Sequence, residues 1–231
     1  MRLPLLALGG LLLATPSISH AQTTTSPATT PRYYVGVAAY NSYFQQFGRK
    51  PYNTASFRAP VQLTVGYQVR PRIALQLGVA YSGSTYSYDS QGYAYSGPGI
   101  PPVYFRYQGS QTMRTTSISL LSRYTLTRNP AHRLQFDALA GLSLEHGSGY
   151  NRGTEADSLG GRLNSERFSS RGTQNVLVLN FGLGTRYQLT PRFELDLDLM
   201  ANSVLPTNSS SRQVQGLTTT SALGLRYRFG K

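Results

Sequence analysis

Several features common in exported or membrane-bound proteins are missing from these 231 residues. There is no cysteine, which excludes a disulfide-bonded scaffold, thiolate metal sites and cysteine nucleophiles. The only long apolar run is at the N-terminus, so a protein that crosses a membrane with several helices is excluded as well. Because 17 Tyr and 9 Phe are too many for a disordered chain, the sequence predicts one folded domain of ordinary size.

Acidic residues are also scarce. Nine Asp and Glu stand against 22 Lys and Arg, for a formal net charge of +13. Such a balance first suggests a nucleic-acid partner. However, 20 of the 22 basic residues are arginines, and no run or stripe of them could follow a nucleic-acid backbone. We therefore expect no nucleic-acid partner.

The N-terminal segment is typical of a secretory signal. Met1-Arg2 precedes an apolar run at residues 3–14, and Ser19-His20-Ala21 places small residues at the positions a signal peptidase requires. The run is too short to span a bilayer. We predict cleavage after Ala21, a flexible leader over residues 22–31, and a folded domain over residues 32–231.

The folded part alternates between apolar and polar residues with a period of two, which is typical of β-strands. Eight such stretches follow one another. Near residue 195, for example, Phe193, Leu195 and Leu197 share one face and Glu194 and Asp196 the other. Short connections at residues 70–72, 127–133 and 190–192 alternate with long polar ones at 42–58, 82–111, 147–171 and 203–216. A repeated β-hairpin is the predicted unit.

The polar faces decide between a soluble barrel and a membrane barrel. They repeatedly carry small residues, which a solvated surface does not need but the interior of a narrow barrel does. The glycines are Gly66, Gly78, Gly141, Gly182, Gly184 and Gly224. Aromatic residues lie near the strand ends, where they would meet lipid headgroups. We predict an all-β fold: an eight-stranded antiparallel up-and-down transmembrane β-barrel with short periplasmic turns and long extracellular loops.

Two hairpins, Tyr67-Gln68-Val69-Arg70-Pro71-Arg72 and Tyr187-Gln188-Leu189-Thr190-Pro191-Arg192, repeat one pattern, and the chain ends in Leu223-Gly224-Leu225-Arg226-Tyr227-Arg228-Phe229. With the signal segment, these residues resemble the small bacterial outer-membrane β-barrel family of OmpA-like and OmpX-like eight-stranded proteins, bacteroidete-type members in particular. The resemblance implies residence in the bacterial outer membrane. It also implies that Tyr227 and Phe229 help the insertion machinery to recognise the last strand.

Charged residues on the predicted interior faces carry both signs. We expect them to pair across neighbouring strands and to fill the lumen, because an eight-stranded barrel is only wide enough for its own side chains. An open pore is the alternative. The predicted network comprises Asp137, Glu145, Glu194, Asp196, Asp198, Arg123, Arg186, Arg226 and Arg228.

One motif could carry chemistry. His146 and Ser148 follow the fifth strand, and lipid A deacylases resemble this arrangement in having a His-x-Ser at the outer rim. A histidine that deprotonates a serine would serve acyl transfer. Glu145 points to the opposite strand face, so Glu155 or Asp157 would have to fold back to orient the histidine.

The long loops are the other candidate surface. Aromatic residues among Ser, Gly and Pro suit adaptable contacts, and they could equally pack among themselves and against headgroups. The loop contact candidates are Tyr86, Tyr88, Tyr93, Tyr95, Tyr104, Phe105 and Tyr107. In the third loop, Arg152, Arg162, Arg167 and Arg171 stand against Glu155, Asp157 and Glu166, which predicts a solvated charged loop.

The predicted function is non-enzymatic, a structural or surface-interaction role through the extracellular loops. A lipid A-directed acyl hydrolase and a small passive channel are the alternatives. We expect a monomer without cofactor or metal. Its partners would be outer-membrane lipids including lipopolysaccharide, the insertion machinery during biogenesis, and an external ligand that the sequence does not identify.

Overall fold

The computed structural model describes residues 31–46, 54–95, 97, 101–129, 132–158, 164–205 and 217–230. The predicted signal and almost all of the leader lie outside these residues. No helix in the part of the chain that the structure describes is long and apolar enough to cross a membrane. The elements are eight strands: β1 Tyr33–Ser42, β2 Thr54–Arg70, β3 Ile73–Ala94, β4 Val103–Thr125, β5 Leu134–Asp157, β6 Asn164–Gln188, β7 Phe193–Leu205 and β8 Leu217–Phe229.

The strands pair with their sequence neighbours in antiparallel order and close into a barrel when β8 pairs with β1. Tyr33 lies opposite both Tyr67 and Phe229, so the first residue of β1 is held on both sides. The short connections lie at the end where β1 begins and β8 ends, which we call the turn end. The opposite end is the hairpin end. Closure leaves no unpaired sheet edge in the ring formed by all eight strands, and the predicted up-and-down barrel is confirmed.

The barrel is apolar on the outside and polar on the inside. Outward side chains such as Leu63 and Leu183 are 62% exposed, whereas the inward Asp137 is 0% exposed. The alternation therefore has the opposite sense to that of a water-soluble barrel, and the outer surface requires a hydrocarbon surrounding. Small apolar clusters such as Leu121, Leu139 and Met200 fill interior space between the polar residues.

Aromatic rings line the outside of the barrel at its turn end. The ring centroids of Tyr33 and Tyr67 are 5.0 Å apart, those of Tyr33 and Phe229 5.9 Å, and those of Phe193 and Tyr227 5.1 Å. Rings with a polar tip favour the boundary between hydrocarbon and water. This belt therefore marks one membrane interface.

The middle strands run further than the sequence predicted. Residues 82–111 and 147–171 were expected to be loops, but β3 and β4 pair from Ile73–Tyr124 to Ala94–Val103, and β5 and β6 pair as far as Asp157–Asn164. The apolar alternation stops beyond the membrane because both faces are polar there. Backbone pairing continues because Tyr, Thr and Ser extend a hairpin that is already in register. We call this projecting part of β3–β6 the extended sheet.

Side chains in the extended sheet alternate between two faces. One face continues the barrel interior and the other continues its outer wall. Contacts confirm the assignment: the Tyr88 hydroxyl donates to Asn151 Oδ1 at 2.9 Å on the inner face. On the outer face Thr85 and Thr112 are bonded at 3.0 Å. No register shift interrupts the pairing of β3 with β4, β4 with β5 or β5 with β6.

Candidate functional site

Arg123 of β4 is buried in the barrel interior. Its Nη1 and Nη2 donate to the two carboxylate oxygens of Asp198 on β7, each at 2.8 Å, so the side chain reaches across the lumen. The same guanidinium donates to Asp137 Oδ2 on β5 at 3.2 and 3.3 Å. A two-bond contact of this kind fixes both distance and orientation.

Three further arginines extend the network toward the turn end. Arg186 Nε donates to Asp137 Oδ2 at 2.6 Å, Arg226 Nη2 donates to Asp196 Oδ2 at 2.9 Å, and Arg228 Nε lies 2.7 Å from Glu194 Oε1. Arg226 also approaches Asp198 at 3.5 Å. All of these side chains are buried, so each charge depends on its partner for the solvation that water would otherwise provide.

Sequence reasoning did not find two members of this network. The Tyr34 ring lies 5.0 Å from the Arg226 guanidinium, and its hydroxyl donates to Gln76 Oε1 at 3.1 Å. Gln76 Oε1 also accepts from Arg123 Nη1 at 3.1 Å, which links β1, β3 and β4. The available signal was strand parity, since Tyr34 shares the inward face of β1 with Gly36 and Ala38.

Glu145 lies apart from the arginines. Its Oε1 accepts from the Ser117 hydroxyl at 2.6 Å, and its Oε2 has no hydrogen-bond partner. Among the residues placed in the structure, no cation forms a salt bridge with it. It therefore occupies a neutral polar part of the lumen together with Ser143 and Asn180, which are hydrogen-bonded to each other.

His146 and Ser148 occupy the outer wall of β5, on the face opposite to Glu145. His146 Nδ1 is bonded to Asn175 Oδ1 at 2.6 Å. Glu155 lies nine residues further along the same strand, about 30 Å away at the rise of an extended chain, and it accepts a bond from Tyr107. Among the residues that the structure describes, no carboxylate is bonded to the histidine, and an amide holds the position that an orienting acid would need.

The loop contact candidates divide between the two faces of the extended sheet. Tyr86, Tyr88, Phe105 and Tyr107 are on the inner face, where Tyr86 donates to Gln111. Tyr93 and Tyr104 are on the outer face, with ring centroids 5.5 Å apart. Tyr95 lies just past the end of β3 and is 78% exposed.

Two hydrogen-bonded pairs shift the pKa of groups in the extended sheet. The Tyr107 hydroxyl donates to Glu155 Oε1 at 2.6 Å, and this bond to a carboxylate raises the pKa of Tyr107. On the outer face, hydrogen bonds from Arg106 at 2.6 and 3.0 Å lower the pKa of Asp89. Both pairs are water-exposed, so they position side chains rather than contribute much to stability.

A family model described as the outer membrane protein beta-barrel domain matches residues 8–229. The chain belongs to this family. No curated protein matches it. As an outer membrane β-barrel it crosses the bilayer with strands, and the outward apolar side chains of β1–β8 form its lipid-facing surface.

Solved structures similar to this β-barrel domain include several bacterial outer membrane proteins. The N-terminal β-barrel domain of Pseudomonas aeruginosa OprF is 16% identical, with 87% of this chain and 98% of that chain covered and a TM-score of 0.45. Neisserial surface protein A is 18% identical, covering 85% and 97%, with a TM-score of 0.44. A major outer membrane protein from Thermus thermophilus is 17% identical, covering 86% and 98%, with a TM-score of 0.48.

Within the described ranges, no group of three or more His, Asp or Glu side chains could hold a metal ion in this β-barrel domain. Two features of the described residues remain for the functional argument. The interior holds fixed ion pairs, and the extended sheet presents aromatic and charged side chains to the medium outside the membrane.

Proposed function

We propose that this β-barrel is a non-enzymatic surface-interaction protein, in which the barrel is the membrane anchor and the extended sheet is the contact element. The observation that carries this proposal is the unbroken register of β3–β6 beyond the apolar part of the barrel's outer surface. An ordered sheet holds contact residues in place before a partner arrives, which reduces the entropy lost on binding.

The interior network supports an anchor rather than a channel. Arg123 joins β4 to β7 across the lumen, and among the described interior carboxylates all but Glu145 form salt bridges with arginines. Ions that crossed this region would have to displace buried salt bridges. The passive channel is therefore the weaker alternative.

The proposal also covers the processing, the orientation and the membrane partners of the barrel. The signal is removed after Ala21, and the hairpin end faces the cell exterior. Outer-membrane lipids, including lipopolysaccharide, surround a monomeric barrel. The insertion machinery recognises β8 through Tyr227 and Phe229, whose rings stack 6.2 Å apart on the outer surface near the chain end.

The inner face of the extended sheet has the composition of a contact surface for a cationic ligand. Tyr88, Phe105 and Tyr107 share it with Glu155, and Phe168 packs over Gly153 on the same face. No Lys or Arg of β3–β6 belongs to this face in the extended sheet. Aromatic rings and carboxylates both favour cations.

This surface can be tested with the mature protein in phosphatidylcholine nanodiscs and a fluorescent decalysine peptide as probe. We expect Tyr88→Ala/Tyr107→Ala to weaken peptide binding by about tenfold or more, as the loss of aromatic anchors does at other interfaces. The matched control is Tyr93→Ala/Tyr104→Ala, which removes two tyrosines from the outer face of the same hairpin and should leave binding unchanged. Equal losses in the two variants, or no binding by the natural protein, would contradict the assignment.

The hydrolase alternative makes a separate prediction. Because His146 is bonded to Asn175 and to no carboxylate of the described strands, we expect Ser148→Ala to leave the acylation of lipid A unchanged. Mass spectrometry of lipid A from cells that express the natural protein, the variant or neither protein measures this. A loss of one acyl chain that requires both Ser148 and His146 would establish the hydrolase instead.

A further inference from the structure

The outer wall of β4–β6 changes from apolar to polar side chains between two neighbouring rows. Ile118, Leu144 and Leu177 lie side by side across the three strands as an apolar row. The next outward row is Thr116, His146 and Asn175, and its histidine–asparagine bond spans β5 and β6. This row is the edge of the hydrocarbon region, because polar side chains follow it on every strand.

Arginines appear in each of the four rows beyond that edge. Arg114 lies in the first, Arg171 in the second, Arg152 in the third and Arg167 in the fourth, all on outward positions of the extended sheet. We call these four residues the arginine face. None of them forms a salt bridge within the part of the chain that the structure describes, and Arg152 donates only a 3.4 Å bond to Ser110.

The acidic residues of the β5–β6 hairpin lie on the inner face, opposite to the arginine face. Glu155, Asp157 and Glu166 all occupy inner-face positions, and Tyr107 on that face bonds to Glu155. The one outward acid of the extended sheet, Asp89, is already paired with Arg106. The expected solvated charged loop is therefore a two-faced sheet, in which strand alternation separates the charges and leaves the arginine face without internal counter-ions. Arg162 lies outside the described residues.

The height of the arginine face limits what can neutralise it. Three steps of two residues separate the first row from the fourth, which along any one strand corresponds to about 20 Å, or about 15 Å along the membrane normal at a typical barrel tilt. A phospholipid headgroup layer is only about 5–8 Å thick on each side of the hydrocarbon core. Phospholipid phosphates could therefore reach the lowest arginines only. Phosphates at several heights are a property of a lipid whose headgroup is a phosphorylated saccharide.

An open hollow lies among the upper arginines. Its volume is about 430 Å³, and outward side chains that line it are Ser110, Arg152, Thr154, Arg167 and Ser169. Guanidinium groups with hydroxyl donors around them are a common combination for binding phosphate. Gly109, Gly153 and Phe168 complete the lining of the hollow.

We propose that the arginine face binds the phosphate groups of the outer leaflet's phosphorylated glycolipid, with Arg114 near the membrane edge and Arg152 and Arg167 around a saccharide-borne phosphate. This inference rests on the proposed orientation of the hairpin end toward the cell exterior. It concerns the opposite face from the one assigned to the cationic ligand, so the two tests fail independently.

The test measures binding of purified lipopolysaccharide to the mature protein in phosphatidylcholine nanodiscs. The variant is Arg114→Gln/Arg152→Gln/Arg167→Gln/Arg171→Gln. We expect it to bind phosphorylated lipopolysaccharide at least about tenfold more weakly than the natural protein, with a smaller dependence on salt concentration. The matched control is Arg70→Gln/Arg72→Gln/Arg133→Gln/Arg192→Gln, which removes the same number of arginines at the turn end and should change binding less than twofold.

Three further probes identify the source of the phosphate. The same lipopolysaccharide after chemical dephosphorylation should bind the natural protein as weakly as the variant binds the intact form. Competition by phosphatidylglycerol that equals competition by lipopolysaccharide would overturn the proposal, since headgroup phosphate alone would then suffice. Binding of heparin without binding of lipopolysaccharide would overturn it in favour of a sulfated polysaccharide. If the turn-end control variant lost as much lipopolysaccharide binding as the arginine-face variant, that result would also overturn the proposal. Heat-modifiable migration on gels verifies that every variant is folded.

Discussion

Replacing Arg123 with Met lowers the free energy of unfolding of the barrel by about 3–5 kcal/mol, the usual cost of removing one partner from a buried ion pair. Asp198 loses two 2.8 Å bonds, and Asp137 loses two longer ones. Asp137 keeps Arg186, and Asp198 keeps only the 3.5 Å approach of Arg226. Five interior carboxylates then face three interior arginines instead of four. Urea unfolding of the protein in lipid vesicles, followed by gel migration, measures the change.

Two companion variants separate the ion pair from general packing. Arg123→Met/Asp198→Asn should recover part of the lost stability, because the carboxylate left without its main partner is removed as well. Arg106→Gln is the matched surface control. It breaks the exposed pair with Asp89 on β3 and should leave the unfolding midpoint where it was. A midpoint for Arg123→Met equal to that of the natural protein would show that the lumen is wet enough to solvate these charges.

Replacing Gly66 with Ala destabilises the barrel by about 1–3 kcal/mol, the usual cost of forcing an extra methyl group into a packed site. Gly66 lies directly opposite Tyr34 across β1 and β2, and a Cβ at this position would overlap the Tyr34 ring. The ring is 2% exposed and cannot move outward. Its displacement would also disturb the bond to Gln76 and the contact with Arg226.

The barrel offers a matched control for this variant. Gly149 in β5 and Gly172 in β6 also lie within strands, but no heavy atom lies within 4 Å of a Cβ built at either position. Gly149→Ala should therefore leave stability unchanged or raise it slightly, since alanine loses less backbone freedom on folding than glycine. Tyr34→Leu in the Gly66→Ala background should cost less than the sum of the two single changes. Additive losses would contradict the proposed overlap.

Much of the fold follows from local patterns that the sequence displays openly. The alternation in β7, with leucines opposite Glu194, Asp196 and Asp198, predicts a strand with one lipid face and one interior face. Short turns between such strands predict antiparallel hairpins, and glycines on the polar face predict a narrow lumen. These features could be read because a strand has a fixed period of two and a membrane barrel inverts its faces.

The extended sheet could not be read in this way. Above the membrane both faces of β3–β6 are polar, so the hydrophobic contrast that reveals a strand disappears. The residues of the arginine face therefore resembled an ordinary charged loop. The alternation of Arg152 and Thr154 with Gly153 and Glu155 is a weaker signal. It assigns these residues to opposite faces only once the backbone is known to be an extended strand.

The sequence alone determined that this chain is an eight-stranded membrane barrel and which charges point inward, because each depends on residues two apart. Only the tertiary structure decided which charges meet. Arg123 and Asp198 are brought together across the lumen by barrel closure, and Tyr34 joins them through Gln76. The alignment of β4, β5 and β6 also brings Arg114, Arg152, Arg167 and Arg171 close together across three strands, whereas strand alternation separates them from Glu155, Asp157 and Glu166. Such pairings depend on the relative alignment of several strands, and no single segment of sequence contains that information.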